Sequence, residues 1–493
     1  MRGLRLQLTS LLLAVFLAFP DVCGGVTLDV VAGEIAAGQT VGQEESSLTL
    51  RGSVNAADLD WIARNCRALQ SLNLREVTVE PCHLDKGLAT GLREFSGGVL
   101  PAYSLSGLTA PELVLPDCIT EISDGALLGA GLTALTVPAS VSRIGTGAFA
   151  GCEALREVKL GAGVESVGRS AFRGCRSLES VEADGGKLAE IGEKAFSDCE
   201  NLKSFVFTSA TPALESICDE AFCSSALQTL DLTGCTRLRT VGRRAFASCL
   251  SLEELSLPSG VTAVGEGVLF GCTSLQNFRL PQSASELPDI ALAGVSEMAD
   301  ASGLIHEGVT RIGSYSMTGM NLVTEFTLPA SVREIGSGAF EGWSALGLLM
   351  AESLQAVPTL GEGVWAGVNQ PETELSVAEG MEAEFSSAPQ WQEFAIRTPG
   401  ESTLERLPVA DSGDGSLIEA RLANSVLTVR TSEGITGVAL YDTDGRLLFT
   451  SAAKGECSLT VQTGLPAGKI CIAAVRLVSD KVAGIKLINT SSQ

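Results

Sequence analysis

A 493-residue chain with a net charge of −24 lacks the clustered cations that nucleic acid or an anionic membrane surface requires, so both partner classes are excluded. Hydrophobic residues at 45% and charged residues at 19% exclude a largely disordered chain, and aromatics at 5% argue against a core of large rings. The length suits two or three domains or one elongated repeat domain.

Arg2 and Arg5 precede the apolar run LQLTSLLLAVFLAF. That run has the length of a signal-peptide core and falls short of the ~20 residues of a membrane span. It predicts a signal peptide over 1–24, cut after Gly24 with Val22 at the −3 position. Lipidation at Cys23 is disfavoured, because Pro20-Asp21-Val22 lacks the small residues it needs. No later apolar run is long enough to span a bilayer, so the mature chain is expected to be exported without a transmembrane segment.

After an N-terminal flank over 25–117, a pattern recurs through 118–397. It reads IGTGAFAGCEAL from Ile144, VGRSAFRGCRSL from Val167, IGEKAFSDCENL from Ile191 and VGRRAFASCLSL from Val241. Copies also begin at Ile122, Ile217, Val264, Leu287, Ile312 and Ile335, and a last one is read at Val357. Successive spacings lie between 22 and 26 residues, the period of a solenoid. Each copy continues into an alternating segment such as LREVKL (155–160) or LEELSLP (252–258), which predicts one short strand per coil. Stacked in parallel, about eleven such coils at ~4.8 Å each would extend roughly 50 Å.

Ala-Phe and Gly-Cys recur at fixed offsets, which poses a choice between chemistry and structure. Eight residues after the Ile/Val stand Cys152, Cys175, Cys199, Cys249 and Cys272, but other copies put Ser225, Val295, Met320 or Trp343 there. A nucleophile or metal ligand would not alternate with Val and Trp, whereas a small buried slot suits free Cys. Five residues after the Ile/Val, Phe149, Phe172, Phe196, Phe222, Phe246 and Phe340 predict a stacked apolar ladder. The glycines of G-T-G-A-F-A-G miss the dinucleotide fingerprint by one residue and lack its βαβ context, so they read as coil corners. Equivalent Cα atoms of stacked coils come within disulfide range, but in-register Cβ atoms do not close to ~3.8 Å, so the repeat thiols are expected to be buried and reduced. Cys66–Cys82 and Cys457–Cys471, outside the register, are the better disulfide candidates.

The unit I-G-x-x-A-F-x-G-C-x-x-L-x-x-V-x-L-P resembles the BspA-type (treponemal) leucine-rich repeat over about 118–397. The stretch 48–74 resembles the N-terminal flank of such proteins, with Asp58 as the expected N-cap of a short helix. FSSAPQWQEFAI (385–396) resembles a closing repeat, in which Trp391 and Phe394 would seal the core. The resemblance implies a non-enzymatic surface protein that adheres to host matrix proteins or to other bacteria.

Beyond a polar linker over 398–416, the segments SVLTVRT, GVALYDTDGRLLFTS, CSLTVQT and KICIAAVRL alternate, with Asp444-Gly445 as a hairpin turn. They predict a small antiparallel β-sandwich over 417–493. LYDTDGRLL (440–448), LPAGKICIAAV (465–475) and KVAGIKLI (481–488) also resemble the C-terminal sorting domain of the type IX secretion system of Bacteroidota. That resemblance implies the type IX machinery as a partner and an outer-membrane surface or secreted destination.

Catalytic patterns are missing. The two histidines, His83 and His306, sit in no zinc-protease motif, and no G-x-S-x-G elbow occurs. DTDG and DSGDG are too short for a calcium loop. No cofactor or metal is expected, and an exported hydrolase would need an insertion rich in His, Asp or aromatics, which 77–117 and 281–311 do not supply. The expected binding face is the outward strand positions. One row runs Thr136, Lys159, Glu182, Val206, Asp231, Ser256, Arg279, Thr327 and Met350, and a second includes Glu157, Glu254 and Glu325. Lys159, Glu157, Glu182, Asp231, Glu254, Arg279 and Glu325 are therefore the candidate contacts to an extracellular protein or bacterial surface ligand, with a structural surface protein lacking a specific ligand as the alternative.

Overall fold

Alternating apolar residues too short to form independent sheets must stack coil upon coil. A computed structural model of the chain describes residues 25–38, 41–84, 91–398, 418–423, 426–441, 447–463, 470–477 and 482–488. The expected signal peptide, residues 399–416 of the expected linker, the Asp444-Gly445 turn and the side chains of Cys457 and Cys471 lie outside what is described. The chain divides into two compact units, one ending at Met298 and the other starting at Ala299. Both units contain parallel β-solenoid coils, about 15 turns in all, and the second also holds the C-terminal antiparallel strands, so the expected fold class holds with more coils than the eleven read from the repeats.

The extra coils come from the N-terminal flank. Strands β1 (Val26–Val30), β2 (Ser47–Val54), β3 (Ser71–Val79) and β4 (Glu112–Val114) pair in parallel, aligning Leu28 with Leu50, Leu48 with Leu72, and Leu72 with Leu113. Their coils lack the Ala-Phe mark because helix α1 (Ala56–Asn65) replaces the turn-rich return between β2 and β3. The N-cap of α1 is Asn55 rather than Asp58. The Asn55 side chain accepts from the Ala57 and Asp58 N–H groups at 3.0 and 3.2 Å, and Asp58, at N3, completes a capping box. The buried Asp58 carboxylate also accepts from Gly33, Ala36 and Asn55 N–H, which satisfies its charge inside the coil.

In the first unit, β5 (Ala134–Thr136), β6 (Glu157–Leu160), β7 (Ser180–Ala183) and β8 (Ser204–Phe207) form one parallel sheet in register through Leu135, Val158, Val181 and Phe205. Strands β9 (Thr229–Asp231), β10 (Glu254–Ser256) and β11 (Asn277–Phe278) form another. A second ladder of two-residue strands aligns Ile122, Ile144, Val167, Ile191, Ile217, Val241 and Val264 without interruption. Between the ladders, Phe149, Phe172, Phe196, Phe222 and Phe246 stack face to face at centroid spacings of 5.0, 5.1, 5.4 and 5.5 Å. The aromatics are few, yet one slot per coil gathers them into a continuous spine, against the expectation from composition alone.

The glycines of IGTGAFAGC are structural for two reasons. Gly147 (φ 59°) and Gly151 (φ 69°) turn the coil in the left-handed region. Gly145 instead allows close approach, since a Cβ there would lie 2.7 Å from the Asp124 backbone nitrogen of the preceding coil.

In the second unit, β12 (Glu325–Thr327), β13 (Leu348–Ala351), β14 (Glu374–Val377) and β15 (Ala395–Arg397) align Phe326, Leu349, Leu375 and Ile396. The last repeat is set by Leu360, which pairs with Ile335, and not by Val357 as the sequence suggested. This three-residue slip places Trp365 in the Phe slot, stacked on Phe340 at 4.6 Å. Helix α2 (Glu382–Ser387) contributes buried Phe385, and Trp391 and Phe394 close the core as expected.

Ser316 occupies a slot held elsewhere by Ala148, Ala171 and Ala195, and its buried hydroxyl has no hydrogen-bond partner among the described residues. Ser316→Ala is therefore expected to stabilise the protein by about 1 kcal/mol, read as a higher denaturant midpoint. An unchanged or lower midpoint would show that the hydroxyl is satisfied in solution.

The C-terminal strands β16 (Ile418–Ala423), β17 (Val426–Tyr441), β18 (Leu447–Gln462), β19 (Ile470–Leu477) and β20 (Val482–Ile488) are antiparallel. β17 pairs with β16, β18 and β19, and the described parts of the four expected alternating segments lie in β17, β18 and β19, apart from Thr463 just after β18.

Candidate binding surface

Strand alternation puts Val158 and Val181 in the core and turns Lys159 and Glu182 outward. Parallel register then brings equivalent outward residues of neighbouring coils side by side. Lys159 Nζ lies 3.6 Å from Glu182 on the adjoining strand, with both side chains about half exposed (56% and 49%). Arg156, just before β6, pairs with Glu179 at 3.0 Å. Such pairs are each worth at most about 1 kcal/mol. Their main effect here is to occupy these charges within the molecule.

The other half of this face differs. Asp231 on β9 is held by the Thr233 hydroxyl at 2.6 Å and by its N–H at 2.9 Å, and those bonds lower its pKa. On β10, Glu254 accepts a hydroxyl bond from Ser256 at 3.3 Å. Arg279 follows β11, is exposed, and forms no ion pair among the described residues. Glu157 is exposed on β6. Glu325 belongs to the second unit, where partial burial and then Asp300 raise its pKa. Six of the seven predicted contacts thus share the strand face of the first unit, and Glu325 is not among them.

Sequence reading missed the ion pairs that run between coils away from this face. Glu121–Arg143, Arg169–Glu193, Arg173–Asp198 and Arg243–Glu266 all join equivalent or adjacent slots of successive repeats. The signal was present as opposite charges 22 to 25 residues apart.

The cysteine slot performs no visible chemistry. Each thiol donates to the carbonyl of the residue in the preceding coil's Phe slot: Cys152 to Leu127, Cys175 to Phe149, Cys199 to Phe172 and Cys249 to Phe222 at 3.2 Å, and Cys272 to Phe246 at 3.1 Å. Trp343 uses its indole N–H in the same way, toward Met317 at 2.7 Å. In these six coils the slot is a buried donor position, which explains why Cys and Trp exchange there, while Val295 and Met320 fill it by packing alone. All five thiols are buried and free, as expected. Cys66 and Cys82 are also free, contrary to the disulfide candidacy. Cys66 caps the C-terminal end of α1, while Cys82 packs near Ala56 at the opposite end. A ten-residue helix separates those ends by roughly 15 Å, far beyond a disulfide.

Burial pushes the Cys199 thiol up to about 12. The neighbouring Cys152 thiol and then burial raise Cys175, and the neighbouring Cys249 thiol and then burial raise Cys272. At pH 8 the Cys199 thiolate is then a fraction of about one in ten thousand. Iodoacetamide at pH 8 is expected to label exposed Cys118 in the native protein and the five slot thiols only after unfolding, as read by peptide mass. Native labelling of Cys175 or Cys199 would contradict the buried-donor role.

The coils are similar to BspA-type leucine-rich repeats. The family described as "BspA type Leucine rich repeat region (6 copies)" matches residues 120–240 and again 239–359. Among solved structures, a leucine-rich repeat protein from Bacteroides ovatus is 17% identical with a TM-score of 0.49, covering 76% of this chain and 91% of that one. The T. pallidum leucine-rich repeat protein is 23% identical with a TM-score of 0.30, covering 39% and 78%. A leucine-rich cell surface protein from Faecalibacterium prausnitzii is 19% identical with a TM-score of 0.25, covering 47% and 83%. No curated protein matches the sequence significantly. Among the described residues, no helix is long and apolar enough to cross a membrane, and no group of His, Cys, Asp and Glu is placed to hold a metal ion.

Proposed function

We propose that this protein is exported and binds macromolecules non-enzymatically through its leucine-rich repeats, acting as an adhesin for host matrix proteins or other bacteria. The observation that carries this reading is the row of exposed Asp231, half-buried Ser256 and exposed Arg279 on a scaffold of stacked coils. A rigid repeat face engages large partners by many modest contacts, and a lone exposed guanidinium is the strongest single anchor on it. The C-terminal strands are proposed as a sorting domain for type IX secretion, leading to the outer-membrane surface or the medium. The internal pairs Lys159–Glu182 and Arg156–Glu179 favour a second reading, a structural surface protein without a specific ligand.

The test is binding of the purified protein to a panel of matrix proteins and bacterial cells. Arg279→Ala is expected to weaken binding to an acidic partner about tenfold, whereas Lys159→Ala, already neutralised by Glu182, changes it less than about twofold. Equal effects of the two, or none, would contradict the assignment of Arg279.

A further inference from the structure

Strands β8 and β9 belong to consecutive coils but do not pair, so the strand-face sheet of the first unit is interrupted between Ser204–Phe207 and Thr229–Asp231. On the other ladder the same coils stay joined, Ile191 to Ile217 to Val241. The coils are therefore hydrogen-bonded along one side, whereas along the other the two strands lie with Cα atoms within 8 Å of each other but share no backbone bonds. In the neighbouring coils the residue before the strand bonds to the preceding coil: Lys203 N–H to Glu179 O at 3.0 Å, and Glu253 N–H to Gln228 O at 2.8 Å. Even at the β4/β5 interruption, Thr133 N–H reaches Pro111 O at 2.9 Å. The equivalent bond from Gln228 to Lys203 does not form. In the core beside the seam, Phe205 fills a position held by Val158 and Val181 in the preceding coils and meets Phe196 and Phe222 edge-on.

Strand-edge groups left unpaired by the fold are a template for another extended backbone. The two lips of the seam also specify side chains. Val206 on β8 is 51% exposed, an aliphatic surface on a polar row. Across from it, at the equivalent strand position on β9, stands Asp231, its carboxylate fixed by Thr233. Ser204 and Thr229 occupy the next outward level. We propose that this seam docks an extended segment of a partner protein bearing a Lys or Arg, whose aliphatic stem lies on Val206 and whose cation meets Asp231. Inward-facing residues of that segment meet Phe205 and half-buried Phe207, so they are apolar. A strand inserted there needs the lips two strand spacings apart, about 9.6 Å, and the continuous rear ladder is the hinge about which they open. This inference rests on the strand face being the binding surface.

The probe is a capped peptide, Thr-Val-Thr-Val-Lys-Val-Thr, titrated into the full-length protein, with amide hydrogen exchange read by mass spectrometry. In the free protein, amides of 228–231 are expected to exchange at least tenfold faster than those of 180–183. The peptide is expected to protect 204–207 and 228–231. Asp231→Asn, which keeps the turn with Thr233, and Asp231→Lys should weaken peptide binding at least tenfold, while Glu193→Gln, away from this face, leaves it unchanged. Equal exchange in the free protein, no peptide binding, protection elsewhere, or binding indifferent to Asp231 would overturn the proposal. Those failures would leave matrix binding and its dependence on Arg279 intact, whereas failure of the strand-face reading would abolish both.

Discussion

Phe196→Ala is expected to destabilise the first unit by about 3–5 kcal/mol, the usual cost of truncating a fully buried ring. The Phe196 ring lies between Phe172 at 5.1 Å and Phe222 at 5.4 Å, nearly parallel to both, and meets Phe205 edge-on at 5.5 Å. Removing it opens a void in the middle of the spine, and close-packed neighbours on fixed coils cannot collapse into it. Because each coil contacts only its neighbours, the loss is local and splits the stack in two. Phe196→Leu should cost far less, about 1 kcal/mol, because Leu269 and Leu292 fill the same slot in later coils. Denaturant unfolding of the two variants checks this. A loss below about 1 kcal/mol for Phe196→Ala would mean that the spine is not the core.

Trp343→Ala is expected to cost the second unit a similar amount. Trp343 is fully buried, meets Phe326 and Phe340 edge-on at 5.3 and 4.9 Å, and donates its indole N–H to Met317 O. Alanine removes the ring contacts and the donor together. Trp343→Cys restores the donor in the form other coils use, and is expected to recover about 1 kcal/mol relative to Trp343→Ala. Identical stabilities for the Ala and Cys variants would show that the hydrogen bond in this slot contributes nothing.

The repeats were legible because each slot meets the same surroundings in every coil. Phe149 through Phe246 and Cys152 through Cys272 therefore announce their burial by recurrence alone. Recurrence failed where local structure changed. Helix α1 hid the first coils, and the segment around Pro358 shifted the last repeat to Leu360. The donor role of the cysteine slot was illegible because its acceptor is a backbone carbonyl of another coil, about 26 residues away. On the binding face, the outward rows were readable from strand alternation. The pairing that separates Lys159 from Arg279 was not, since it depends on which coils lie side by side. The seam between β8 and β9 is an absent pairing, and nothing in the alternation of SFVF or TLD marks it.

The most direct test of the strand face as binding surface compares two multiply substituted proteins on the same matrix and cell panel. One neutralises Glu157, Lys159, Glu182, Asp231, Glu254 and Arg279, and the other neutralises Glu121, Arg143, Arg169 and Glu193 away from that face. Saturable binding lost in the first and kept in the second is the predicted result. Binding kept in the first, or lost equally in both, would contradict it.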